Sequence, residues 1–159
     1  MRVLILGGTL FIGRRIALGL LARGDDVMVV HRGQTEPAEL SGCAHVHSAR
    51  PALAEVADQL RAWRPDAVID TRAMTAADAS AVLPHLPDAH LVLLSSIDVY
   101  RAYELLRAGQ GGEPVPLTEA SAVRSGRYPL RDLLPGLGEH YDKLDVEPLY
   151  LSRRGTSAT

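Results

Sequence analysis

At 159 residues the chain has the length of one domain and can bury a substantial core. With 47% apolar residues, 23% charged residues and a formal net charge of −2, it has an ordinary globular composition and no charge excess to attract nucleic acid or an anionic membrane. Its single cysteine, Cys43, excludes an internal disulfide and fits a reducing compartment.

The first apolar stretch is short and broken by glycine, with no basic segment or small-residue cleavage site framing it. No other stretch approaches the ~20 apolar residues of a membrane span. These features predict a cytoplasmic protein.

Residues 3–6, Val-Leu-Ile-Leu, read as a strand buried on both faces. Gly7 and Gly8 end it, and residues 11–23 carry Ile12, Ile16, Ala17, Leu20 and Leu21 on one helical side. A strand, a glycine turn and a helix in that order gather backbone N–H groups at a helix N-terminus, which favours a pyrophosphate. Gly7, Gly8, Thr9, Leu10, Phe11, Ile12 and Gly13 make up this junction. Leu10 stands where a middle glycine normally lets backbone approach phosphate, so it either obstructs the ligand or turns its side chain away. A tight turn that binds nothing is the plain alternative.

Gly24 closes the helix, and residues 27–30 form a second buried strand that delivers His31 and Arg32 at its tip. In dinucleotide folds this tip meets the adenosine ribose, where an acidic residue favours NAD. The basic pair found here would attract a 2′-phosphate, so NADP is expected over NAD; a solvated loop arginine is the other reading of Arg32. Residues 44–47 form a short strand on which His45 and His47 share a face near Cys43. The three are read as an incidental cluster at a sheet edge rather than a zinc site.

Residues 51–63 read as one helix with Leu53, Val56, Ala57, Leu60 and Trp63 on its buried face. A strand follows at 67–70, then Asp70, Thr71 and Arg72 at its carboxyl end. Asp70 either lines the ligand crevice or caps the next helix, at 75–83. Residues 90–94 are the fifth strand, ending in Ser95 and Ser96. The segment 101–136 is expected to be an irregular, substrate-facing excursion. A terminal helix at 138–149, interrupted by Pro148, and a polar tail complete a single domain over 1–159.

Together GGTLFIG at 7–13, VIDT at 68–71 and LLSSIDVY at 93–100 resemble the extended short-chain dehydrogenases, specifically the NAD-dependent epimerase/dehydratase family. HRGQT at 31–35 and PVPLTEAS at 114–121 sit where that family has a basic strand tip and a substrate-side loop. The resemblance implies an α/β, Rossmann-like, three-layer, doubly wound parallel sheet of order 3-2-1-4-5. It also implies a Ser–Tyr–Lys catalytic set in which lysine lowers the tyrosine pKa and holds the nicotinamide ribose. Ser96 matches the serine and Lys143 the lysine, supported by Glu147. The family's tyrosine position, in Y-x-x-x-K, is Glu139 here, and Tyr141 lies two residues before Lys143. On a helix that spacing is a rotation of ~200°, which puts Tyr141 and Lys143 on opposite sides unless the segment is not yet helical at Tyr141.

The family continues with further strands and a substrate domain, so this chain is expected to be a truncated form with an exposed sheet edge open to self-association. The implied function is an NAD(P)-binding oxidoreductase or sugar-nucleotide epimerase/dehydratase acting on an unidentified small molecule. The alternative is a non-catalytic dinucleotide-binding module or an inactive truncated remnant.

Overall fold

The apolar runs fold, in the computed structural model, into five parallel strands: β1 (Arg2–Leu6), β2 (Asp26–His31), β3 (Ala44–His47), β4 (Ala67–Asp70) and β5 (His90–Leu93). The structure describes residues 1–133, 135, 136 and 138–154. Strand order is β3-β2-β1-β4-β5, as expected of a doubly wound α/β sheet. Leu6 lies opposite Val30 of β2 and Asp70 of β4, and Asp70 lies opposite Leu93 of β5. The carboxyl ends of these four strands therefore finish level.

Period-two alternation sorts the strand residues between two cores. Leu4, Leu6, Met28, Val30, Val46 and Val68 pack on one face beneath Leu53, Leu60, Ala79, Val82, Val146 and Tyr150. Those residues come from a 3-10 segment (Arg50–Val56), α2 (Ala57–Trp63), α3 (Ala76–Val82) and α5 (Lys143–Arg154). Val3, Ile5, Val27 and Val29 pack on the other face against Ala17 of α1 (Phe11–Ala22), Leu40 and Cys43. Three layers result. Among the described residues no helix is long and apolar enough to cross a membrane.

Three element boundaries differ from the sequence reading. The stretch read as one helix over 51–63 is a 3-10 segment followed by α2. Pro51 lacks an N–H and Arg50 is tied to Asp70 of β4, so the first turns tighten while Leu53, Ala57 and Leu60 keep the expected buried face. The excursion over 101–136 is not wholly irregular: it opens with α4 (Arg101–Arg107) and returns beside Tyr100 through a bridge to Val123.

The last helix starts at Lys143 rather than Gly138, because Asp142 caps it. The Asp142 carboxylate accepts the Leu144 N–H at 2.9 Å. Pro148 does not interrupt α5. Its missing backbone bond costs roughly 3 kcal/mol, whereas burying Val146 and Tyr150 on either side stabilises by roughly 1.5–3 kcal/mol each.

Candidate functional site at the carboxyl edge of the sheet

A cavity of about 750 Å³ opens at the carboxyl ends of the strands. Its first wall is the β1–α1 junction. Gly7 adopts φ +88°, and a Cβ there would come within 2.3 Å of Arg72 Cγ. A Cβ on Gly13 would come within 2.3 Å of the Gly7 carbonyl oxygen. Both positions need glycine so that α1 can start against the turn. Thr9 is buried at the cavity wall.

Leu10 precedes α1 in an extended conformation and is 60% exposed at the rim, so it does not fill the hollow. Among the described residues no side-chain cap bond is made at the N-cap of α1, Leu10. Phe11 takes φ 48° and is largely exposed, with Ile12 beside it. A bulky residue in that region is uncommon and marks local backbone strain. Gly8 belongs elsewhere: it does not line the cavity, and a Cβ there would meet Val29 Cγ1 at 2.5 Å.

The β4 tip corrects the reading of Asp70, which neither lines the cavity nor caps α3. It is 1% exposed and receives the Arg50 guanidinium through two bonds, at 2.9 and 2.7 Å. It also accepts the Arg72 and Ala73 N–H groups and the Tyr150 hydroxyl. Burial pulls Arg50 down, but the bond to Asp70 and its charge outweigh that and raise its pKa. Burial, then the Asp70 charge, push the Tyr150 phenol up. Thr75 caps α3 instead, in a reciprocal box with Asp78. Thr71 lines the cavity while its hydroxyl donates to the Leu6 and Gly7 carbonyls, at 2.9 and 3.2 Å, bracing the glycine turn.

At the β2 tip, Arg32 is exposed on the cavity wall with no partner among the described residues. His31 is buried in a chain of imidazoles. The Gly33 N–H donates to His31 Nδ1 at 3.1 Å, so the His31 proton sits on Nε2, 2.9 Å from His45 Nδ1. His45 Nε2 then donates to the Leu40 carbonyl at 3.1 Å. Burial, followed by repulsion from His45 and His47 and opposed by the Glu36 charge, lowers the His31 pKa.

The ligand atoms of His31, Glu36 and His45 lie within 4.8 Å of one another. A metal at His31 Nε2 would move that proton to Nδ1, against the Gly33 N–H, so this donor set fits a hydrogen-bonded relay rather than a metal. Cys43 is not in that group; it packs in the α1-side core, where burial raises its thiol pKa.

The third wall brings together Ser95, Ser96, Tyr141 and Lys143. Tyr141 precedes the start of α5, so the opposite-sides argument does not apply. Its hydroxyl donates to Asp98 Oδ2 at 2.7 Å, and Ser96 Oγ donates to the same oxygen at 2.9 Å. Burial first, opposed by the Ser96 bond and then reinforced by the Asp98 bond, pushes Tyr141 up to about 12.

Lys143 is 3% exposed and donates to the Ala73 and Leu94 carbonyls at 2.7 and 2.8 Å. Burial lowers its pKa. The Arg124 charge also acts on the Tyr141 phenol, pulling its pKa down against burial. Glu147, expected to support Lys143, instead accepts the Ser95 hydroxyl. Asp98 and Arg124 were missed. Both carry signals only in the folded chain, where Arg124 Nε reaches the Asp98 carbonyl at 2.7 Å across 26 residues.

No family model and no curated protein matches the chain. Solved structures do. A UDP-glucose 4-epimerase from Stenotrophomonas maltophila, with bound NAD and formylated UDP-arabinopyranose, superposes over 99% of this chain and 50% of its own, at 20% identity and a TM-score of 0.68. TunA, an NAD-dependent NDP-hexosamine 5,6-dehydratase, superposes over 96% and 50%, at 18% identity and a TM-score of 0.65. A UDP-glucose 4-epimerase from Brucella ovis in complex with NAD superposes over 77% and 41%, at 18% identity and a TM-score of 0.60. The chain thus spans about half the length or less of these structures. Its fold is the Rossmann-like fold of NAD-dependent epimerases and dehydratases.

Proposed function

We propose that the chain binds a nicotinamide dinucleotide and is a member of the NAD-dependent epimerase/dehydratase family. One observation carries this reading. The uncapped start of α1 and the glycine turn open into the same cavity that Ser96, Tyr141 and Lys143 line. The glycine positions fit the group, because a Cβ on Gly13 would strike the Gly7 carbonyl and push the start of α1 away from the turn whose amides would meet the phosphates.

Gly7, Thr9 and the amides of residues 10–13 would hold the pyrophosphate, with Leu10 turned to the rim. Arg32, beside His31, would meet the adenosine end, and its unpaired charge favours a 2′-phosphate, hence NADP. Lys143 would face the nicotinamide ribose, and Ser96 with Tyr141 would face the substrate, a nucleoside-diphosphate sugar by the reading of the fold. Thr71 and Ser95 serve as wall. When bound, the nicotinamide supplies a hydride acceptor; the chain's own groups bind, orient and move the proton.

Calorimetric titration with NAD and NADP tests the proposal. Saturable binding is expected, and no heat at millimolar cofactor would sink it. Arg32→Ala is expected to weaken NADP by about tenfold relative to NAD, the size of one charge-assisted contact. A second reading, a binding module without turnover, is favoured by the two carbonyls, of Ala73 and Leu94, that occupy the Lys143 ammonium. It predicts cofactor affinity with no reduction of the bound cofactor by any sugar nucleotide.

A further inference from the structure

Asp98 is 5% exposed and sits behind the cavity wall, in contact with the two hydroxyls that line it. Its Oδ2 accepts from both Tyr141 and Ser96, while its Oδ1 is buried with no hydrogen-bond partner among the described residues. The groups around it are known. Arg124, from the segment that returns beside Tyr100, places Nη2 at 3.9 Å from Oδ1, short of a hydrogen bond. Arg124 is itself committed to Asp142, at 3.1 and 2.5 Å. Lys143 of α5 feels the Asp98 charge, but its ammonium donates to two carbonyls. A buried carboxylate therefore keeps an acceptor oxygen in reserve next to a phenol.

The direction of the Tyr141 bond restricts what that hydroxyl can do. Its proton is given to Asp98, so toward the cavity it offers lone pairs. It is set to accept from a substrate alcohol rather than to donate to a carbonyl.

We propose that Asp98 is the proton acceptor behind Tyr141, so that an alcohol bound in the cavity gives its proton to the Tyr141 oxygen as the Tyr141 proton passes to Asp98. This rests on the dinucleotide reading above, which supplies the acceptor for the accompanying hydride. The balance is complete. The substrate O–H and C–H bonds break and a C=O forms; Tyr141 loses one proton and gains another, ending as a neutral phenol. Asp98 ends as a carboxylic acid and returns its proton by the same path when the carbonyl is reduced. Tyr141 never accumulates as phenolate, so no lysine charge beside it is required. Ser96 holds the Asp98 carboxylate in register for the transfer.

Two readouts test this. In ultraviolet titration, with Tyr141→Phe as the blank, the Tyr141 phenol should ionise above the ordinary phenol value in the wild type. In Asp98→Asn it should fall part of the way toward the ordinary value, because the Asp98 bond and charge are lost while burial stays, and be severalfold more ionised at the same alkaline pH. Single-turnover reduction of bound NAD by a panel of UDP-sugars should fall about 100-fold in Asp98→Asn, with cofactor affinity unchanged. In the wild type that rate should not climb as pH approaches the phenol's ionisation range.

Ordinary ionisation of Tyr141, a rate that climbs with alkalinity as a phenolate base would require, or retained turnover in Asp98→Asn would each overturn the inference while leaving cofactor binding standing. Absent cofactor binding removes the functional reading and the relay together. If Asp98→Asn does not fold, the wild-type titration and pH profile decide alone.

Discussion

Asp70 shows how one residue's role depends on partners far along the chain. Arg50 lies 20 residues before it and Tyr150 lies 80 residues after it, and both reach the same buried carboxylate. Removing one partner of a buried ion pair leaves the other charge uncompensated and costs about 3–5 kcal/mol. Asp70→Ala should therefore destabilise the domain by about that amount in urea denaturation, and an unchanged midpoint would show that Arg50 is solvated. Gly13→Ala works differently. The new Cβ meets backbone, the Gly7 carbonyl, at 2.3 Å, so the turn or the helix must shift. About 1–3 kcal/mol of stability should be lost, and cofactor affinity with it. The need for glycine at 7 and 13 is legible in the sequence, because a turn between a buried strand and a helix demands it locally. The burial of Asp70 is not legible, since its cause is two residues that only the fold brings near.

At the scale of elements, apolar periodicity located all five strands and α1, and it placed the β-tips where ligands meet such sheets. It failed where side chains set the boundaries. The start of α5 is fixed by Asp142, fully buried, which caps the helix, accepts the Tyr128 N–H and pairs with Arg124. That start decides whether Tyr141 and Lys143 share a wall, so the misplaced helix end obscured the site. Burial alone would raise the Asp142 pKa, but the Arg124 bond and the two backbone bonds outweigh it and hold the carboxyl below its ordinary 3.8. The sign follows directly. A depressed folded-state pKa contributes stability that is fully present above 3.8 and is lost as pH falls through the lower, folded value. Stability measured by denaturant titration should therefore drop on acidification below about pH 4, and Asp142→Asn should flatten that slope. An equally steep acid limb in the variant would assign the dependence to other carboxylates.

At the scale of the molecule, the parallel topology puts every named site residue that lines the cavity on one edge, although they are spread from Gly7 to Lys143. The two cores lie on opposite faces of the sheet, and Leu6, Val30, Leu53 and Val82 of one of them form apolar lining of the cavity. A dinucleotide laid along this edge must touch the glycine turn, the β2 tip and the third wall at once. A mononucleotide reaches only part of it. Hydrogen exchange should therefore show NAD(P) slowing amides at 7–13, at 31–33 and around 95–96 and 143 together. Adenosine monophosphate should protect the first two groups and leave the third unchanged. Protection of the first two groups alone by the full dinucleotide would mean that the nicotinamide half lies outside the cavity. In that event Ser96, Asp98 and Tyr141 would form a structural hydrogen-bond cluster, and the β1–α1 turn would serve an adenine nucleotide instead.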